Sequence, residues 1–247
     1  MDELARWFSA LNDARGINLT VAYDRFDRLR FLNGFLVTLQ LSAATIATSV
    51  ALGVAGAWLV QSRSRIVRGL VRGLVEFFRN TPPLVQLYFF YFGLSSLISV
   101  AGPSGAPAPA IGNFAWAVLA LSLFAGAHNV EIFRAGIEAV QRTTVEAAES
   151  LGYGRLSAYR NVILPLALRV CLPALSNNLV NLVKTTSIAY AVAVPEMHYV
   201  ANQIWSDALN VPEMMLLLLA CYLLLVGGLV AGMTRLERAL RVPGFGA

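Results

Sequence analysis

Asn177, Asn178, Asn181, Lys184 and Ser187 recur at short helical intervals inside one apolar stretch, about residues 170–194. Ionisable groups in such a stretch are costly within a membrane and turn toward a protein interior or a watery cavity. The chemistry they offer is recognition and passage of a polar solute. Lys184 can meet a solute carboxylate, pair with Glu131, or snorkel to an end of its helix. The asparagines can line a path or hydrogen-bond between helices. A second set is His128, Glu131 and Arg134. Glu131 and Arg134 stand i, i+3, the spacing of an intrahelical ion pair, and His128 one turn earlier serves packing or solute choice. No Ser/His/Asp set, paired carboxylates or metal-ligand cluster argues for an enzyme. Cys171 and Cys221 lie in apolar stretches and read as small core residues, with no metal and no disulfide framework.

The elements that must position these groups follow from composition. Of 247 residues 57% are hydrophobic and 13% charged, with a mean hydropathy of +0.63; soluble domains carry about 25% charge. Crossing about 30 Å of hydrocarbon takes roughly 20 apolar residues in a helix. Five segments qualify, at about 31–60, 84–100, 111–133, 170–194 and 214–233. The second opens on Pro82 and Pro83, suited to a first helical turn, and is aromatic from Tyr88 to Phe92. The segment AGPSGAPAPAIGN after it reads as a loop. The net charge of +5 does not indicate nucleic acid, because the arginines gather in particular connections, the pattern that orients a membrane protein. Arg63, Arg65, Arg68, Arg72 and Arg79 fill the first connection, Arg134, Arg142, Arg155, Arg160 and Arg169 the third, and Arg235, Arg238 and Arg241 the C-terminal tail. The second and fourth connections have none. The expected fold is an all-α integral membrane protein of five spans, N-terminus outside and C-terminus in the cytoplasm. Residues 1–30 balance five arginines against five acids and contain no cleavable signal peptide; they read as a polar, interfacial segment ahead of one membrane domain at 31–247.

The third connection is long: TTVEAAESLGYGRLSAYRNVILPLA. Thr143 or Thr144 can cap a helix from about Val145, with Glu146 in its first turn. Gly152 and Gly154 break it, and a second helix at about 155–162 is ended by Pro165. Ala147, Ala148 and Leu151 share one face of the first helix; Leu156, Tyr159 and Ile163 share one face of the second. The expectation is a compact cytoplasmic helix–turn–helix with a small apolar patch, a docking knob for a partner groove.

At these residues the chain resembles the permease subunits of ATP-binding-cassette importers. Glu146-Ala147-Ala148, Gly152 and Val162-Ile163-Leu164-Pro165 match their EAA signature, with Val162 where the pattern has Ile. Glu76-Phe77-Phe78-Arg79-Asn80-Thr81-Pro82 with Gln86, Glu131-Ile132-Phe133-Arg134-Ala135-Gly136-Ile137, Asn181-Leu182-Val183-Lys184-Thr185-Thr186-Ser187, and Leu236-Glu237-Arg238 with Pro243-Gly244 are similar to the polar amino acid branch. The resemblance runs from about Phe31 to the C-terminus. It implies a bacterial inner-membrane importer. Glu146, Ala147, Ala148, Leu151, Gly152, Tyr159, Leu164 and Pro165 would be the coupling segment seated in a separate ATPase. Gln86, His128, Glu131, Asn178, Asn181, Lys184 and Ser187 are the candidate pathway residues. The implied partners are an ATPase dimer, a second permease subunit (identical or homologous), a periplasmic substrate-binding protein, the amino acid and the lipid bilayer. ATP and Mg would sit on the ATPase, since this chain has no GxxxxGK[ST] phosphate loop and needs no cofactor of its own. The competing function is an ion-gradient-driven secondary amino acid transporter; that class shows inverted repeats, and none is visible here. A non-transporting scaffold would need no ATPase-docking knob.

Overall fold

The computed structural model describes residues 3–101 and 107–240. Arg241, Pro243 and Gly244, and residues 102–106 of the Pro/Gly-rich segment, lie outside the described residues. The architecture is helical, with α1 (Glu3–Arg15), α2 (Thr20–Tyr23), α3 (Arg25–Val60), α4 (Arg65–Asn80), α5 (Pro83–Tyr88), α6 (Asn113–Glu138), α7 (Arg142–Ser150), α8 (Arg155–Ala158), α9 (Leu164–Thr185), α10 (Met197–Ala208) and α11 (Val211–Leu240). The expected loop after α5 is bordered by a two-stranded antiparallel ladder, β1 (Ser99–Ala101) with β2 (Pro107–Pro109), Val100 opposite Ala108.

Four helical stretches are long and apolar enough to cross a membrane: Arg25–Val60, Asn113–Glu138, Leu156–Val192 and Val211–Leu240. The expected second span is shorter than its 84–100 reading. Helix α5 passes into a π turn (Phe89–Leu94) and a 3-10 turn (Ser95–Leu97), and the chain is extended from Ser99. Pro83–Leu97 is therefore a short apolar helix, about 22 Å at the ordinary rise. The first, third and fifth spans run past their sequence bounds. Helix α3 begins at Arg25, ahead of the expected boundary at 30, because the charged turn 25–30 is helix-compatible and Arg30 is held by Asp207 (3.3 Å) and Gln203 (3.0 Å).

The fourth span departs most. Pro165 does not stop the helix. Residues Tyr159–Ile163 form a π turn between α8 and α9, and Pro165 occupies the first turn of α9. A proline there needs no N–H donor, and the wider π turn accommodates its ring.

The chain divides into two compact units. One comprises Met1–Ala44, Leu87–Ala120 and Val183–Gly227. In it Phe31, Met197, Ala201, Ile204, Met214 and Leu218 form one core, and Leu41, Leu87, Ala117, Ala189 and Val194 another. After Val192 the chain turns through left-handed Ala193 (φ 56°), whose carbonyl accepts from Asn113 Nδ2 at 2.6 Å. The N-terminal segment is fastened here as well. Asn18 N donates to Glu213 Oε1 (3.0 Å), and Asn210 Nδ2 donates to Asn18 O (2.7 Å).

The other unit comprises Thr45–Gln86, Leu121–Leu182 and Gly228–Ala247. Its cores are Ala57, Phe133, Cys171, Leu175 and Leu179, and Val60, Val75, Ala127 and Val130. Helices α3 and α6 approach closely. A Cβ on Gly56 would stand 2.3 Å from Val130 Cγ2, and one on Gly53 2.4 Å from Asn129 Cβ, so both positions require glycine's missing side chain. The arginine-rich first connection is itself helical. Ser64 Oγ caps α4 by accepting from Val67 N (3.4 Å). Val71, Val75 and Phe78 pack inward, while Ile66, Leu70, Leu74 and Phe77 stay exposed.

Candidate functional site

The candidate coupling segment is built by α7 and the turn after it. Helix α7 starts at Arg142, three residues earlier than expected, and its N-cap is Gln141 with no side-chain cap bond. Thr143 and Thr144 therefore lie inside the first turn and do not cap it. The Arg142–Glu146 pair (3.0 Å, i, i+4) holds this exposed turn, an arrangement that adds a few tenths of a kcal/mol to an exposed helix. The C-terminus is closed by paired bonds. Gly152 N donates to Glu149 O (2.9 Å) and Tyr153 N to Ala148 O (3.1 Å), with Gly152 at φ +85°. This is the Schellman closure, in which a left-handed glycine satisfies the last carbonyls.

The apolar patch is divided by exposure. Ala148 is buried, and Tyr159 and Ile163 line a cavity of about 780 Å3 with Val145, Trp58 and Ile137, which Leu156 lines as well. Leu151 and Leu156 are 79% and 81% exposed, beside half-exposed Tyr153. The exposed knob is thus Leu151, Tyr153 and Leu156, whereas Ala148 is buried and Tyr159 and Ile163 are half-buried. Ala147 and Glu146 are exposed, Leu164 is partly exposed, and Pro165 is half-buried. Tyr153 stands outside the expected patch; its one signal in the sequence is an aromatic directly after the breaking glycine.

The candidate pathway residues fall into separate groups. Gln86 is buried, and its Nε2 donates to Phe78 O (2.8 Å), Thr81 O (3.0 Å) and Thr81 Oγ1 (2.6 Å). It stitches the break between α4 and α5. Glu131 is engaged by Arg134 (2.7 Å), which also grips Glu138 (2.7 Å); the intrahelical pair is what forms, and Glu131 is taken up in it. His128 is half-buried with its ring edge-on to Phe124. Asn178 Nδ2 donates to Asn129 Oδ1 (2.8 Å) and Ala125 O (3.1 Å), joining α9 to α6. That interhelical role leaves buried Asn129 Nδ2 without a partner among the described residues. Asn177 and Asn181 are exposed.

Lys184 and Ser187 belong to the first unit. They line a cavity of about 270 Å3 with Leu219, Tyr222, Leu223 and Val226. Ser187 Oγ donates to Lys184 O (2.9 Å). Behind Tyr222 stands a group that the sequence reading counted only as a charge in the fourth connection. Glu196, fully buried, is the N-cap of α10. Its carboxylate accepts from His198 N (2.9 Å), Tyr199 N (2.8 Å) and Tyr222 Oη (3.4 Å), and Met197 N donates to Thr38 Oγ1 (2.9 Å). Burial pushes the Glu196 carboxyl up to about 7 against the opposing pull of the two amides. The sequence signal was an acid after Pro195, immediately ahead of an apolar helix, an N-cap pattern.

Comparison with known proteins places these features in context. Residues 47–242 match the family described as binding-protein-dependent transport system inner membrane component. The chain is 33% identical over 224 residues to a probable glutamine ABC transporter permease protein of Bacillus subtilis, covering 91% of this chain and 98% of that one. It is 34% identical to a histidine/lysine/arginine/ornithine transport system permease protein of Salmonella typhimurium, over 72% of this chain and 75% of that one. Among solved structures, an amino acid ABC transporter crystallised with histidines superposes with TM-score 0.76 at 29% identity, covering 86% of this chain and 94% of that one. A methionine ABC transporter shares the fold at TM-score 0.67 and 18% identity, over 89% of this chain and 100% of that one.

Proposed function

Because the chain belongs to the family of binding-protein-dependent inner membrane transport components, in the branch of ABC permeases for polar amino acids, we propose that it is the membrane subunit through which such an importer carries its cargo into the cytoplasm. Translocation proceeds by alternating access. The chain crosses the membrane five times, N-terminus outside and C-terminus inside, with Pro83–Leu97 as the short second span. The arginine distribution supports this orientation, since it sets the coupling segment and the arginine-rich α4 on one side.

The observation that carries the proposal is the Schellman-closed turn after α7, with Leu151, Tyr153 and Leu156 exposed around it. Two large, exposed leucines presented on a Schellman-closed turn are what a complementary groove on a partner would bury. The partner is a separate ATPase dimer that binds and hydrolyses ATP with Mg. A second permease subunit, identical or homologous, completes the pathway, and a periplasmic binding protein delivers the amino acid. Gln86, His128, Asn178, Asn181, Lys184 and Ser187 stand at or behind the path; Gln86 and Asn178 act by fixing helix geometry.

The test is co-purification of the ATPase with a Leu151→Glu/Leu156→Glu variant from membranes. Two charges at the knob abolish recovery of the ATPase while the permease still inserts. Undiminished recovery would show that docking does not use this turn.

A further inference from the structure

Two cavities of the second unit, which holds Thr45–Gln86 and Leu121–Leu182, share Trp58, Ile137 and Tyr159 as a common wall. One, of about 220 Å3, lies between α3, α6 and α9, where Val54, Phe133, Leu168 and Cys171 line it. Apart from the Tyr159 hydroxyl and the Cys171 thiol, its side chains are hydrocarbon. The other, of about 780 Å3, continues to the end of α3 and to α7, and there Gln61, Ser62 and Glu149 add polar groups. The pair makes one groove, apolar at one end and polar at the other.

Its depth in a membrane follows from the helices that wall it. All three belong to stretches long and apolar enough to cross one. Trp58 stands in the last turn of α3, 71% exposed, and Arg63, Arg65 and Arg68 follow that helix end directly. A tryptophan and a tyrosine near the end of a span, with arginines beyond them, mark the level of the lipid headgroups. Val54, Phe133, Leu168 and Cys171 lie further into their helices, at the level of the acyl chains.

The polar end carries both signs of charge. Glu149 is exposed and has no ion-pair partner among the described residues. Arg68 Nη1 donates to Ser62 O at 3.1 Å, which leaves most of its five donors unassigned among the described residues. Ser62 Oγ accepts from Ser64 N at 3.3 Å, so its hydrogen is left to donate. A head bearing only a phosphate would suit Arg68 and Ser62 but meet Glu149 as a like charge. A choline head carries no N–H to give to a carboxylate. An ammonium beside a phosphate, on an apolar tail, satisfies every group.

We propose that this groove holds one phosphatidylethanolamine molecule from the leaflet at the arginine-rich end of α3. An acyl chain fills the apolar cavity, the ammonium donates to Glu149, and the phosphate accepts from Ser62 and Arg68. The lipid would lie against α7, the helix that ends in the candidate coupling turn. The inference goes beyond the proposed function and needs no ATPase, so it is measured on the permease alone.

The full chain is purified in dodecylmaltoside and titrated with phosphatidylethanolamine, phosphatidylcholine or phosphatidylglycerol of identical acyl chains. Retained lipid is counted by native mass spectrometry. Phosphatidylethanolamine should saturate at one molecule per chain, at a concentration at least about tenfold below that needed for either other lipid. Glu149→Gln should bring it to the level of phosphatidylcholine, and Leu168→Trp, a bulky residue at an exposed position of the apolar end, should weaken all three. Both variants should melt as the parent does without added lipid, since neither residue is buried. Phosphatidylcholine binding as tightly as phosphatidylethanolamine would overturn the proposal. A preference for phosphatidylglycerol would do the same, reducing the site to contact between the arginines and an anion. Phosphatidylethanolamine binding that neither variant alters would place the lipid elsewhere on the chain and overturn the groove.

Discussion

Gly152 closes the coupling turn at φ +85°, and a Cβ there would meet nothing within 4 Å. Substitution by alanine therefore acts through backbone strain alone. A non-glycine residue in the left-handed region costs about 1–2 kcal/mol, and asparagine less because its side chain suits that region. In the free permease the turn would open to relieve the strain, and the proposed docking would have to close it again. The apparent affinity for the ATPase then falls by the fraction of closed turn, about three- to fifteenfold for alanine if the closed and open forms are near balance before the change. Asparagine should fall in between. Proline should be worst, since it fixes φ near −65° and removes the Gly152 N–H that donates to Glu149 O at 2.9 Å. Titrating each detergent-solubilised variant with the ATPase gives the order Gly, Asn, Ala, Pro. The thermal midpoint of the permease should barely move, because the turn is exposed. Alanine binding as tightly as glycine would refute the argument that the left-handed closure presents the knob.

Two further outcomes follow from the packing and the buried acid. Gly56→Ala forces a methyl into Val130 Cγ2 and should cost about 1–3 kcal/mol of stability, read as a lowered melting temperature; Val130→Ala in the same chain should restore most of it. No rescue would mean that the α3–α6 approach is not limited by that contact. Glu196 carries a carboxyl raised from an ordinary 4.5 to about 7. The folded protein thus binds the proton more tightly than the unfolded chain. Its contribution to stability is full below about pH 4.5 and is lost as pH rises through about 7. Glu196→Gln should flatten the melting temperature between about pH 5 and 8, and an unchanged slope would place the titration elsewhere.

The apolar segments were legible because hydrocarbon imposes a length and a composition on each span. What sequence could not decide was where proline acts. Pro165 reads as a stop, yet a π turn over Tyr159–Ile163 carries the helix through it. Pro173 is likewise tolerated inside α9. The second span was overestimated for the opposite reason. Its aromatic run satisfies any hydropathy window, but Phe89–Leu97 winds into π and 3-10 turns and ends short. Helix α4 was hidden because its arginines marked it as a connection, although its valines fall on one face.

At the coupling segment, residue types and spacing fixed the turn at Gly152 but not which apolar residues stay exposed. Ala148 is buried and Leu151 exposed, while Leu156, itself exposed, lines the same cavity as half-buried Tyr159. The ion pair of Glu131 with Arg134 followed from spacing within one helix. The Glu196–Tyr222–Thr38 cluster joins residues far apart in the chain, so no local pattern could assemble it.

ATP-driven uptake separates an ATPase-coupled importer from an ion-driven carrier. The permease is reconstituted with its ATPase in proteoliposomes and supplied with loaded binding protein, with ion gradients collapsed. A polar amino acid should accumulate in a way that requires ATP and the binding protein and is lost in the Leu151→Glu/Leu156→Glu variant. Accumulation that needs neither ATP nor the ATPase, and that follows an imposed ion gradient, would contradict the importer reading.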